Sequence, residues 1–72
     1  MSASWGDIGY IVRLERPDTV PPTVLYLRAF TNGVSLTLDR RQAYRFGSRE
    51  GAKLIGGDLY AQGYAVRDVE PA

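Results

Sequence analysis

The sequence predicts an α+β domain in which an antiparallel or mixed sheet of about four strands, in the order β-β-β-α-β, is packed on one face by a single helix. Three observations predict it: a period-two apolar alternation over residues 8–15, an Asn32-Gly33 dipeptide between two further alternating runs, and a turn-to-helix junction over residues 44–52. At 72 residues the chain reads as one domain, 1–72, near the lower size at which a hydrophobic core supports folding without disulfides or metals. Its 44% hydrophobic and 24% charged residues are the balance of a globular chain rather than a disordered one.

Residues 1–7 form a lead containing Gly and Ser, with Trp5 either an anchor at the sheet edge or an interface residue. In residues 8–15, Ile8, Tyr10, Val12 and Leu14 fall on one face and Ile11, Arg13 and Glu15 on the other, as in a half-buried strand. Residues 16–23 contain three prolines and read as an exposed loop, because proline cannot donate to a ladder. Residues 24–31 and 34–38 then form a hairpin, since Asn-Gly tolerates the positive φ values of a tight turn. A two-residue loop would pair Thr31 with Val34, Ala29 with Leu36 and Leu27 with Leu38 on one face, leaving Tyr26, Arg28 and Phe30 on the other.

Ser48 is placed to cap a helix over residues 48–62, with Glu50 in its first turn beside the positive end of the dipole. The inner stripe is expected at Ala52, Ile55, Gly56 and Leu59, and Gly63 supplies the left-handed residue after the helix. Gly51, Gly56 and Gly57 each weaken the helix by roughly 1 kcal/mol relative to Ala. They fit either close approach of a partner or close packing on the chain's own sheet, and the packing reading is preferred. Residues 64–69 make the last strand, whose place in the sheet the sequence leaves open.

The chain has no Cys and no His, which removes thiolate nucleophiles, imidazole bases and the usual zinc, haem and iron-sulfur ligands. Its eight carboxylates are scattered, with no calcium-loop spacing, so neither an enzyme nor a metal or other cofactor is expected. No run approaches the ~20 apolar residues of a membrane span, and the first residues lack the basic and apolar parts of a signal peptide. A cytoplasmic protein with no membrane association is expected.

Ala43, Phe46, Ser48, Glu50 and Ala52 form the pattern A-x-x-F-x-S-x-E-x-A at the helix start. With the strands around it, this resembles small, mostly uncharacterised domains of bacterial and bacteriophage genomes, over about residues 10–69. The resemblance implies an accessory protein that binds host machinery, a group that includes inhibitors of the anti-CRISPR type.

Two surfaces are candidates for binding. Eight of the nine basic residues are Arg, and Arg40, Arg41, Arg45, Arg49 and Lys53 cluster against the single acid Glu50. Guanidinium groups suit phosphates and carboxylates, although the same residues also serve to solvate a connection. The second surface is the sheet face opposite the helix, where Ile11, Arg13, Val24, Tyr26, Arg28 and Phe30 are expected, with Arg67 a further candidate. Such a face fits a protein partner or self-association, cover by another part of the chain, or base stacking on single-stranded nucleic acid. The protein interface is preferred, because the pI of 8.1 is low for a nucleic-acid binder.

Overall fold

The computed structural model describes residues 9–16 and 18–72. The expectations for Trp5, Ile8 and the 1–7 lead lie outside these residues. The elements are β1 (Tyr10–Arg16), β2 (Thr23–Ala29), β3 (Ser35–Thr37), a 3₁₀ turn (Arg40–Gln42), α1 (Arg49–Ala61) and β4 (Val66–Pro71). The sheet order is β3-β2-β1-β4 with every pair antiparallel, which places the last strand at an edge beside β1. One helix covers one face, so the fold is α+β.

β1 is the centre of the sheet because it is apolar on both faces: Val12 and Leu14 point to α1, and Ile11 is 1% exposed on the other side. Val12 and Leu14 pack with Leu27, Phe46, Ala52 and Leu59 as the core. The helix ends follow the sequence. Ser48 Oγ accepts the Gly51 N–H at 3.1 Å, and Gly63 takes φ 101 while Tyr64 N–H bonds Leu59 O and Gly63 N–H bonds Tyr60 O, both at 3.0 Å. This is a Schellman ending, and Tyr64 and Leu59 join the same core cluster.

The hairpin differs from the two-residue expectation. Asn32 (φ 59) and Gly33 (φ 107) do take positive φ, but Ala29 pairs with Ser35 and Leu27 with Leu36, so residues 30–34 form the loop. The slip leaves Leu38, expected inside, 69% exposed beyond the end of β3. Arg28 is an extra residue in β2, a bulge that reverses the alternation after it. Phe30, expected on the outer face, is therefore turned to the core side, where its ring stacks on Phe46 at 5.7 Å and meets Tyr44 edge-on at 5.2 Å. Burying one such ring is worth roughly 2–3 kcal/mol, which offsets the ladder bonds given up at ~1 kcal/mol each.

The bulge also parts β2 from β1, whose pairing stops at Arg13–Tyr26. The 44–46 segment fills the gap: Tyr10 and Phe46 exchange backbone bonds of 3.0 and 2.8 Å, and Tyr44 N–H bonds Leu27 O at 2.8 Å. The junction residues Ala43, Phe46 and Ala52 are all buried. A second bulge, at Arg67 in β4, lets Val66 and Val69 both pack toward the core although they are three residues apart.

Candidate functional site

The outer sheet face is polar where the sequence suggested an apolar and aromatic one. Register places Glu70 beside Ile11 and Asp68 beside Arg13, acids that a search for apolar residues passes over. Arg13 reaches Glu15 at 3.1 Å and Glu70 at 3.7 Å, Arg67 Nε reaches Glu15 at 3.4 Å, and Arg40 bonds Glu70 and the Pro71 carbonyl. Arg40 comes from the turn after β3, lies over the Tyr26 ring with Cζ 5.8 Å from its centroid, and crosses β1 to reach β4. Glu70 first and Tyr26 second push its pKa up. Three guanidiniums and two carboxylates thus form one chain over the sheet, in which Arg13 Nε is buried without a hydrogen-bond partner.

Of the predicted contact residues, the structure brings together Arg13, Tyr26 and Arg40, and they contact one another's partners rather than open solvent. Arg28 is exposed at the bulge, and Phe30 is turned inward. Arg41 bonds Asp39 through Nε at 3.3 Å and Nη2 at 3.4 Å, while Asp39 Oδ1 also accepts the Arg41 N–H at 2.9 Å to cap the 3₁₀ turn. These bonds, the side-chain one foremost, hold the Asp39 carboxyl below its ordinary 3.8. Arg45 lies against Gly9, and Arg49 opens α1. The arginines that cluster in sequence are spread over the outer face, a turn and the helix.

The larger concavity is one the sequence reading missed. A groove of about 370 Å³ runs between α1 and the edge strand β4, lined by Lys53, Gly56, Gly57 and Tyr60 on one side and by Val66, Arg67, Asp68 and Val69 on the other. Its signal in the sequence was the glycine pair. A Cβ built on Gly56 would meet Val66 at 3.5 Å and Val12 at 3.9 Å, ordinary contacts, so this glycine does sit at the helix–sheet seam. One on Gly57 would meet nothing within 4 Å. The packing explanation therefore fails for Gly57, whose missing side chain leaves the groove open.

The outer edge of β4 is poorly equipped to take another strand. Ala72 N–H bonds Gly9 O at 2.7 Å, a register that turns the backbone of Glu70 and Asp68 to β1 and that of Pro71 and Val69 to the open side. Pro71 has no N–H, its carbonyl accepts from Arg40, and the Val69 N–H is taken by Asp68 Oδ1 at 2.8 Å. Proline, a bulge and side-chain capping are the devices that stop edge pairing.

Among the described residues no three His, Cys, Asp or Glu side chains gather as a metal site, and no helix is long and apolar enough to cross a membrane. Comparison of the chain with protein-family models, with curated proteins and with solved structures found no match in any of the three.

Proposed function

We propose that this chain is a non-enzymatic protein-binding module that meets its partner through the α1–β4 groove and the adjoining crest of α1. The observation that carries this reading is an apolar surface left open where the fold does not need it. Tyr60, at the groove wall, is 71% exposed, and Leu54, one helical turn before Gly57 and Asp58, is 73% exposed. Contiguous exposed apolar surface of this kind marks protein contacts, and large aromatic side chains supply much of their energy. The rest of the molecule is closed by comparison, since the outer sheet face is an ion-pair chain. A protein that acts by covering a host complex, as the resemblance at the helix start implies, needs such a surface and no catalytic group.

The nucleic-acid reading loses its stacking platform, because Phe30 packs inward and Tyr26 lies beneath Arg40, with Glu15 and Glu70 close by. Affinity capture with nuclease treatment tests the two readings. The wild type is expected to retain a discrete protein that resists nuclease, and Leu54→Asp or Tyr60→Asp is expected to weaken retention about tenfold, ~1.4 kcal/mol, with an unchanged circular dichroism spectrum. Recovery of nucleic acid alone, or equal retention by both variants, overturns the proposal.

A further inference from the structure

The groove has a chemistry that selects its occupant. Val66, Val69 and the two glycines make its apolar floor. Lys53 and Arg67 line it against a single carboxylate, Asp68, whose Oδ1 is already engaged with the Val69 N–H. Arg49 stands one turn before Lys53 on the same flank of α1, and neither has an ion pair among the described residues. Lining and flank together are cationic around an apolar trough.

Backbone pairing to β4 is discouraged by Pro71, by the Arg67 bulge and by the Asp68 bond to Val69, so an occupant must bind through side chains. The helix side of the trough, from Lys53 to Tyr60, is about 10 Å long at 1.5 Å per residue. Two apolar side chains one helical turn apart, about 5–6 Å, fit that length. An extended strand would have to satisfy its own backbone groups in water.

We infer that the α1–β4 groove receives an acidic amphipathic helix of a partner protein, with two apolar anchors at i and i+4 on the glycine floor and flanking Asp or Glu side chains on Lys53, Arg67 and Arg49. This rests on the protein-binding reading and adds the partner's chemistry. The missing side chain of Gly57 is the opening into which one anchor drops. Carboxylates at the rim set the direction of approach and make the contact salt-sensitive.

The test is selection from a displayed random-peptide library, with peptides of about 16 residues or four helical turns, on wild-type protein and on Gly57→Leu. Leu at this position meets no neighbouring atom at Cβ and favours the helix, so the variant keeps its fold while blocking the trough. The expected result is enrichment of acid-rich peptides with apolar residues at i and i+4. Their binding should fall at least about tenfold in Gly57→Leu, ~1.4 kcal/mol, and weaken in Lys53→Glu and at high salt. No enrichment, enrichment of basic or strand-forming sequences, or equal binding by Gly57→Leu overturns the inference. If peptides bind Gly57→Leu normally but not Leu54→Asp, the groove inference falls and the protein-binding reading stands.

Discussion

Asp39 is where a single carboxylate reports on the fold. It is open to water, yet it accepts both the side chain and the backbone N–H of Arg41, which hold its pKa below the ordinary 3.8. A lowered folded pKa means that the contact contributes fully above the unfolded value and is lost as pH falls through the folded one. The carboxyl carbon of Asp39, followed by NMR, should therefore titrate with a midpoint below 3.8. In Arg41→Ala the midpoint should rise only part of the way, because the backbone N–H remains. A wild-type midpoint at the ordinary value would show that the pair does not persist in solution. Global stability should barely respond, as expected of an exposed ion pair.

Among the elements, α1 gives the clearest energetic contrast, because its glycines have different surroundings. Gly57→Ala adds a methyl in open space and removes the backbone-entropy cost of glycine, so it should stabilise the protein by about 0.5–1 kcal/mol and raise Tm by several degrees. In Gly51→Ala the new Cβ would lie 3.2 Å from Ser48 Oγ and crowd the cap, so the gain should be smaller. Thermal melts of the two variants decide the point, and equal gains would mean that the cap yields without cost. The helix was legible in sequence because its signals are local: Ser48 reaches only to Gly51, and Gly63 only to Tyr60. The hairpin register was not, because it depends on Phe30 finding Phe46 and Tyr44, residues from beyond the next strand. The groove was half legible: Gly56 and Gly57 were noticed, but only the placement of β4 beside β1 shows what they face.

For the whole molecule, the sheet divides the surface into regions with different uses. Its α1 side holds the core, its outer side holds the Arg40–Glu70–Arg13–Glu15–Arg67 chain, and β3 at one edge is only three residues long. The charge chain was not foreseen because face assignment by apolar alternation left Glu15 and Glu70 out of account, whereas the register sets them among the arginines. The Arg28 bulge governs how these regions join. Deleting one residue from a strand ordinarily throws the rest of it to the opposite face. Removing Arg28 would instead join Leu27 directly to Ala29, preserving their pairing with Leu36 and Ser35 and keeping Phe30 on the core side. What would go is the kink that admits the 44–46 segment, so the shortened chain should fold with faster amide exchange at Tyr10 and Phe46. Unchanged exchange there would mean that the kink does not hold the gap open. If it behaves as expected, position 28 is a place where a lineage can gain or lose a codon without re-threading its sheet.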